Sequence, residues 1–342
     1  MRPLRITHVV RSDSFAGVER YVTEVATELS SRGHEVTVVG GEPGRVQAAL
    51  PEQVRHRAGA STREVAAALV KGGRQDIVHV HMSAAELAGV VTRPAHQAHL
   101  VATRHFAAQR GGSALSRAVT RTAARGLSRE ISISQFVADS SGPGSVVLHN
   151  GVRDRQIATD RERTVLVMQR HEAEKDTATA LRAFAASGLE DQGWRLQVAG
   201  RGSQGAELRR LAEELDVAVD WLGFTDRPED VLSRVGLLLA TALAEPFGLS
   251  VVEAMASGTP VVASASGAHA ETLGPEGRFF PAANVQDCAA VLRDVCQHEQ
   301  ERLHYGRVLR ERQQRLFSLG QHAARLATIY AELVGGPRRL EP

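Results

Sequence analysis

The chain has 342 residues, of which 43% are hydrophobic, 23% are charged and 4% are aromatic, with a formal net charge of +2. This length suits two domains of ordinary size, and the composition is that of a globular protein with well-filled cores. The small net charge and the scarcity of aromatic side chains argue against a nucleic-acid partner. Cys288 and Cys296 are eight positions apart on one predicted helix, too far apart for a disulfide.

The chain begins with MRPLRITHVV, which already resembles a strand, and it contains no run of 18 apolar residues. We therefore expect neither a signal peptide nor a membrane span. Together with the absence of a predicted disulfide, this favours a cytoplasmic location.

Apolar runs alternate with helical patterns from the first residues onward, which predicts parallel sheets with crossover helices. In the first half, strands are predicted at 4–10, 35–39, 76–81, 99–105, 130–134 and 145–148. Helices are predicted from Gly17, near 62–70, 84–91 and 114–127, and from Gln135.

The polar segment 151–163 lacks an apolar period and is predicted to be an interdomain linker. After it, strands are predicted at 164–168, 194–199, 217–222, 237–240 and 261–264. Helices are predicted near 176–184, 207–215, 228–235, 248–257 and 285–296, and from 299 onward. Gly320 is predicted to interrupt the last helical pattern. The predicted domains are 1–155 together with a terminal helix at about 321–338, and 156–320.

Ligands of open parallel sheets bind outside the carboxyl ends of the strands. The candidate polar residues follow predicted strands, as this rule requires. They are Gly17 to Arg20, His81, His105, Asn150 with Gly151, Arg170 with Lys175, Gly200 with Gly202, and Glu245 to Glu253.

The stretch EPFGLSVVEAMASGTP carries two carboxylates, Glu245 and Glu253, on either side of Gly248. It is predicted to be a loop followed by a helix, and the free N–H groups of that first helical turn suit an anion. The arrangement fits a ligand that carries phosphates and neighbouring hydroxyls. The alternative is a polar surface loop that leads into an amphipathic helix.

Arg170 and Lys175 follow a strand and precede a helix, an arrangement that suits a diphosphate. The alternative is a pair of solvated cations. Gly200 and Gly202 follow another strand and fit a backbone that passes close to a ligand.

Several segments resemble, in order, the retaining glycosyltransferases of family 4 (GT4). The QRHEAEKD segment resembles the family's R-x4-K phosphate grip, and EPFGLSVVEAMASGTPVVAS resembles its E-x7-E signature. Weaker similarities cover most of the remaining chain: FAGVERYVTEVATELSSRGHEVTVV, DIVHVH, LHNGV, WRLQVAGRG, VDWLGF, SGAHAETLG and FSLGQHAARLATIYAEL. The resemblance implies a GT-B fold, in which two Rossmann-like domains face each other across a cleft and a C-terminal helix crosses back to the first domain.

The resemblance also implies roles in binding a nucleotide-sugar donor, with UDP or GDP as its nucleotide. Arg170 and Lys175 would hold the diphosphate, Glu253 the ribose hydroxyls, and Glu245 the hydroxyls of the transferred sugar. Further implied contacts with the donor come from Gly17, Gly200, Gly202, and the backbone of Phe247, Gly248 and Leu249.

On the first domain, the resemblance places His105 near the donor sugar and the acceptor. His81 and Asn150 are candidates for the acceptor side, although His81, which shares a face with His79, could instead be a hydrogen-bonded core residue. The acceptor would be a small molecule, a glycan or a lipid-linked sugar.

The resemblance also implies that the anomeric configuration is retained, by same-face attack. No cofactor is expected, and no metal is expected because the cations, Arg170 and Lys175, replace it. The sequence contains no Asp-x-Asp motif, which disfavours the metal-dependent class. The chain departs from the family pattern at four positions: Ala16 stands in place of the first Gly of Gly-Gly, Gln169 and Asp176 replace glycines around the phosphate grip, and Arg153 replaces an Asp.

Arg110, Arg117, Arg121, Arg125 and Arg129 form a basic stripe. We interpret it as a solvated face of an arginine-rich chain, with contact to an anionic membrane surface as the alternative. Two other functions remain open: different chemistry on the same fold, such as a nucleotide-sugar epimerase or a phosphorylase, and a non-catalytic subunit that binds sugar nucleotides.

Overall fold

The computed structural model describes residues 2–107, 122, 124–141, 144–157 and 160–335. The chain divides into two compact units: Met1–Gly151 with Leu319–Pro342, and Val152–Ser318. Within the described residues, no helix combines the length and apolar character that a membrane crossing requires.

The first unit contains a seven-stranded sheet in the order β3-β2-β1-β4-β5-β6-β7. All six of its strand pairs are parallel. The strands are β1 Arg5–Val10, β2 Glu35–Val39, β3 Arg55–Arg57, β4 Ile77–His81, β5 His99–Arg104, β6 Arg129–Ser132 and β7 Val146–Val147. The described helices that precede β7 are α1 Gly17–Ser31, α2 Pro43–Ala49, α3 Thr62–Gly72, α4 Ser83–Val91, α5 Arg93–His96 and α6 Gln135–Ser141.

The second unit contains a six-stranded parallel sheet in the order β10-β9-β8-β11-β12-β13. Its strands are β8 Glu162–Met168, β9 Arg195–Ala199, β10 Val219–Gly223, β11 Val235–Ala240, β12 Val261–Ser264 and β13 Arg278–Phe280. Its α-helices are α7 Thr177–Ser187, α8 Gly205–Glu214, α9 Pro228–Leu232, α10 Leu249–Ala256, α11 His269–Leu273, α12 Val285–Gln297 and α13 Glu299–Leu316, and two 3-10 turns lie at Ala173–Lys175 and Glu190–Gln192. The predicted pair of parallel α/β domains is confirmed.

The last helix, α14 Leu319–Gly335, packs in the core of the first unit, where Leu326 and Tyr330 lie with Tyr21 and Val25 of α1. The prediction that Gly320 interrupts the pattern is wrong, because the interruption falls at 317–318 and Gly320 lies in the first turn of α14.

Gly151 is required where α14 begins. A Cβ on Gly151 would lie 2.6 Å from the Cα of Leu319, so only a residue without a side chain allows this approach.

Both cysteines lie in α12 and are buried in the core of the second unit. Burial raises the pKa of each thiol to about 12, so both stay protonated near neutral pH. They pack as small apolar side chains.

Several short elements escaped the sequence analysis, among them α2, β3 and β13. The residues of β3 are Arg-His-Arg, which carry no apolar alternation, and parallel pairing with β2 alone makes them a strand. Most of the predicted helix at 114–127 lies outside the described residues, as do Arg110, Arg117 and Arg121 of the basic stripe.

Candidate active site

Two neighbouring strands in the centre of the second sheet, β8 and β11, carry the main candidate residues at their carboxyl ends. β8 ends at Met168 and leads into the loop with Arg170 and Lys175, while β11 ends at Ala240 and leads into the loop with Glu245. Because the strands are parallel and paired, the two loops leave the same edge of the sheet.

Lys175 and Glu245 form an ion pair, with Nζ 2.6 Å from Oε2 and each side chain 14% exposed. The other carboxylate oxygen, Oε1, accepts a hydrogen bond of 3.0 Å from the backbone N–H of Gly248. Burial by itself raises the pKa of Glu245, but the charge and hydrogen bond of Lys175 outweigh it and hold the pKa below its ordinary value. Glu245 is thus ionised near neutral pH.

Gln169, one of the departures from the family pattern, anchors the backbone at Lys175. Its Nε2 donates to the carbonyl oxygen of Lys175 at 2.7 Å and to the hydroxyls of Thr177 and Thr241 at 3.0 Å each. The Thr241 hydroxyl also donates to the Lys175 carbonyl at 2.9 Å. Gln169 therefore ties together the loops that follow β8 and β11.

Asp176, a second departure, occupies a backbone conformation with φ of 48°. Aspartate and asparagine tolerate this left-handed region better than most residues, which explains how Asp stands where glycine is usual. Its carboxylate accepts a hydrogen bond from the N–H of Thr179 at 3.3 Å and caps α7. Asp176 thus has a structural role beside Lys175.

The loop 265–268 encloses the backbone of Glu245. The N–H of Ala268 donates to the Glu245 carbonyl at 2.8 Å, and a Cβ on Gly267 would lie 2.2 Å from that same oxygen. His269 follows in α11. It is buried, and burial lowers its pKa against the opposing effect of the Glu245 charge, so a neutral imidazole lies close to the ion pair.

Helix α10 begins directly after Gly248, whose φ of 87° is a conformation that favours glycine. Leu249 is its first residue, and Glu253 lies within it with 8% of its surface exposed. The Phe247 side chain is buried against Phe317 with ring centroids 5.9 Å apart, so Phe247 can offer a ligand only its backbone.

Arg170 pairs with a different carboxylate from the one that pairs with Lys175. Its side chain is 59% exposed and pairs with Glu174 at 2.6 Å, a surface ion pair between residues four positions apart. Such a pair is weak, so the guanidinium is available to an incoming anion at little cost.

Gly200 and Gly202 lie so close to the backbone of a neighbouring loop that there is no room for a side chain at either position. A Cβ on Gly200 would lie 1.9 Å from the carbonyl oxygen of Gln169, and one on Gly202 would lie 2.3 Å from that of His171. These glycines therefore let the loop after β9 pack against the loop that carries Arg170.

In the first unit, three histidines form a chain that ends at the carboxyl edge of the sheet. Nδ1 of His8 lies 3.1 Å from Nε2 of His81, and Nδ1 of His81 lies 3.0 Å from Nε2 of His105. His105 lines a cavity of about 250 Å³ together with Arg11, Phe106 and other residues of that edge. A larger cavity of about 420 Å³ lies at the opposite edge of the sheet, away from the candidate residues.

The remaining candidates of the first unit differ in exposure. Gly17 is exposed as the first residue of α1, where Glu19 already accepts the N–H of Ala16 at 2.9 Å. Asn150 is buried, and its Oδ1 has no hydrogen-bond partner among the described residues.

Sequence reasoning gave little or no functional weight to three residues that the structure places beside the candidates. They are Gln169, His269 and His8. The signal for His8 was present, since it occupies the same position in β1 as His79 does in β4, and paired positions of parallel strands share a face.

Comparison with known proteins supports the resemblance over most of the chain. Residues 15–155 match the model of glycosyltransferase family 4, and residues 152–312 match that of glycosyl transferases group 1. A phosphatidyl-myo-inositol mannosyltransferase of Mycolicibacterium smegmatis is 27% identical, with 93% of this chain and 91% of that protein aligned. A glycogen synthase of Mycobacterium tuberculosis is 26% identical, with 100% of this chain and 97% of that protein aligned.

Solved structures share the fold. Anabaena Alr3699/HepE in complex with UDP and glucose superposes with a TM-score of 0.83 at 18% identity, covering 96% of this chain and 100% of that chain. AviGT4, a glycosyltransferase involved in avilamycin A biosynthesis, gives a TM-score of 0.75 at 21% identity, covering 98% and 99%. The chain belongs to the family 4 glycosyltransferases and has the GT-B fold.

Proposed function

We propose that this glycosyltransferase uses a nucleoside-diphosphate sugar as donor, binds it at the carboxyl edge of the second sheet, and transfers the sugar with retention of configuration and without a metal ion. The observation that carries the proposal is the ion pair of Lys175 and Glu245, 2.6 Å long and largely buried beside the start of α10. A cation, a carboxylate and a helix N-terminus together match the diphosphate and hydroxyl groups of such a donor.

In the proposed complex, Lys175 and Arg170 bind the diphosphate, and the positive charges stabilise it as negative charge develops on leaving. Glu245 accepts hydrogen bonds from the sugar, and Glu253 accepts them from the ribose. The backbone from Phe247 to Leu249 lies along the donor. UDP in the Alr3699/HepE complex supports a uridine or similar nucleotide for this chain.

The chemistry proposed is a same-face displacement. The bond from the anomeric carbon to the phosphate oxygen breaks, and the acceptor oxygen forms its bond on the face from which the phosphate leaves. The proton of the acceptor hydroxyl passes to the departing phosphate oxygen. The positive charges of Arg170 and Lys175 stabilise the leaving diphosphate, as a metal ion does in other transferases, so no metal is required.

The acceptor is proposed to bind the first unit, at the cavity of about 250 Å³ that His105 lines. His81 supports His105 from within the core, while Asn150 lies buried at the end of the chain segment that leads to the second unit. A small molecule, a glycan or a lipid-linked sugar remains the proposed acceptor class.

A panel of UDP-, GDP- and ADP-sugars, followed by thermal shift, tests the donor proposal. A bound donor raises the melting temperature by mass action. Lys175→Ala should abolish the shift, whereas Lys71→Ala should preserve it because Lys71 is an exposed lysine of α3 in the other unit. A wild-type protein that responds to no donor, or a Lys175→Ala variant that responds as wild type does, would refute the proposed site.

The stereochemical proposal has its own test. With an α-linked donor, proton NMR of the first product should show an α-linkage. A β-linked product would establish inversion and eliminate the same-face displacement.

A further inference from the structure

The core of the first unit contains an unusual layer of histidines on one face of the sheet. His8 is paired in register with His79, and His81 with Thr103, so the side chains of β1, β4 and β5 meet there. His8, His79 and His81 are each 0% exposed. Burial, with the neighbouring imidazoles adding to it for His79 and His81, lowers the pKa of all three, so the rings are neutral near pH 7.

One ring nitrogen from each of His8, His79 and His81 lies within 4.8 Å of the other two, a grouping that could hold a metal ion. Both ring nitrogens of His79 already make hydrogen bonds, however. Its Nδ1 lies 2.5 Å from the Tyr330 hydroxyl, and its Nε2 lies 2.7 Å from the Thr103 hydroxyl. A metal would have to displace one of these contacts. The other two rings belong to the hydrogen-bonded chain that leads to His105.

A neutral imidazole carries one proton, which makes one nitrogen a donor and the other an acceptor. The two N···N contacts of the chain each need one proton between them. Burial also lowers the pKa of His105, to about 3, so all three rings of the chain are neutral near pH 7. They then allow only two arrangements. In the first, every ring is protonated on Nδ1, and in the second, every ring is protonated on Nε2.

The two arrangements differ at the ends of the chain. Protonation on Nε2 leaves a buried N–H on His8, whose Nε2 has no hydrogen-bond partner among the residues that the structure describes. Protonation on Nδ1 leaves an unpaired acceptor there instead, and puts an N–H on Nδ1 of His105. A buried N–H without a partner is rarer in proteins than a buried acceptor without one. The arrangement in which every ring is protonated on Nδ1 is therefore favoured.

We infer that His8 and His81 are positioning residues for His105, and that the chain of three imidazoles fixes the tautomer in which His105 presents an Nδ1–H donor at the cavity of about 250 Å³. His105 then binds an oxygen of the ligand as a hydrogen-bond donor, and its cavity nitrogen does not act as a base. The role toward the ligand rests on the proposed transfer reaction, whereas the tautomer is a property of the protein alone.

The test is the tautomer of His105, measured by long-range ¹⁵N–¹H correlation on protein labelled at its histidines. His105→Gln identifies the His105 signals by their loss. His322 provides an internal standard, because its Nδ1 lies 2.7 Å from the carbonyl oxygen of His149 and a carbonyl only accepts, so His322 must be protonated on Nδ1. We expect the same pattern for His105.

Two variants whose side chains have the same number and branching of heavy atoms test the chain. Asparagine at position 8 places an amide N–H where His8 has Nδ1–H, so His8→Asn should preserve the His105 tautomer. His8→Leu removes the donor and leaves Nε2 of His81 as the buried end of a shorter chain, so the same preference should keep the proton of His105 on Nδ1. The chain loses one hydrogen bond that orients its rings, so kcat/KM for transfer should fall about tenfold in His8→Leu, the effect of one ordinary hydrogen bond, and should not fall in His8→Asn.

A wild-type His105 protonated on Nε2, or a wild-type kcat/KM in a folded His8→Leu variant, would overturn the inference. The wild-type spectrum decides the question even if His8→Leu does not fold. Failure of the proposed function can be distinguished from failure of this inference. If only the proposed function is wrong, the wild-type protein will show no transfer activity but His105 will still be protonated on Nδ1.

Discussion

Lys175→Met and Glu245→Gln, made singly and together, measure the coupling within the central ion pair. For unit charges 2.6 Å apart, an effective dielectric constant of about 20 gives at most about 6 kcal/mol of attraction before desolvation is subtracted. Removing one partner of a fully buried pair typically costs about 3–5 kcal/mol. Because each side chain retains 14% of its exposure, we expect a coupling energy of about 2 kcal/mol in the free energy of unfolding.

The assay is urea unfolding of the four proteins, with the coupling taken from the double-mutant cycle. Arg170→Met and Glu174→Gln form the matched control, since that pair has the same N···O distance of 2.6 Å but side chains that are 59% and 50% exposed. Its coupling should stay below about 0.5 kcal/mol. Equal couplings in the two cycles would refute the claim that burial strengthens the Lys175–Glu245 pair.

The pH dependence provides a second check on the same pair. The folded-state pKa of Glu245 lies below its ordinary value of 4.5. The ionised carboxylate therefore makes its full contribution to the free energy of unfolding at pH values above 4.5. This contribution is lost as the pH falls through the lower, folded-state pKa. The stability difference between wild type and Glu245→Gln should therefore be constant from pH 6 to 8 and shrink below about pH 4.5. A difference that grew on acidification would contradict this assignment.

Three further outcomes are expected, two from the geometry and one from the proposed mechanism. Gly200→Ala should destabilise the protein by about 3 kcal/mol or more in urea unfolding, because its Cβ would meet the Gln169 carbonyl at 1.9 Å; a wild-type midpoint would contradict the close approach. Asp176→Gly should change stability by less than about 1 kcal/mol, since relief of the left-handed backbone offsets the lost cap; a larger loss would show that the cap dominates. Transfer activity should survive EDTA unchanged, and a loss that added Mg²⁺ restores would refute metal independence.

The alternation of apolar runs and helical patterns was enough to predict both parallel sheets, because buried strands and crossover helices leave a strong periodic signal. It failed for β3, where an Arg-His-Arg segment becomes a strand through pairing alone. It also misplaced the last helix boundary, since Gly320 is tolerated inside the first turn of α14.

For the site, the spacing of Glu245, Gly248 and Glu253 predicted a loop and a helix start, and the structure has both. The direct pairing of Lys175 with Glu245 was not predictable, because 70 residues separate them and only the register of β8 and β11 brings their loops together. The hydrogen-bonded series of histidines from His8 to His105 was not predicted for the same reason. It depends on how three strands are placed side by side, and it leaves no local pattern in the sequence.

The most direct test of the central claim is the rate at which nucleoside diphosphate is released from the donor that the panel identifies. Lys175→Ala should lower the catalytic rate about 100-fold, corresponding to roughly 3 kcal/mol of lost stabilisation of the leaving group. Lys71→Ala, which removes the only other lysine of the chain, should leave the rate within about twofold of wild type, as expected for a surface substitution away from the site. Near wild-type turnover by a folded Lys175→Ala variant would contradict the account.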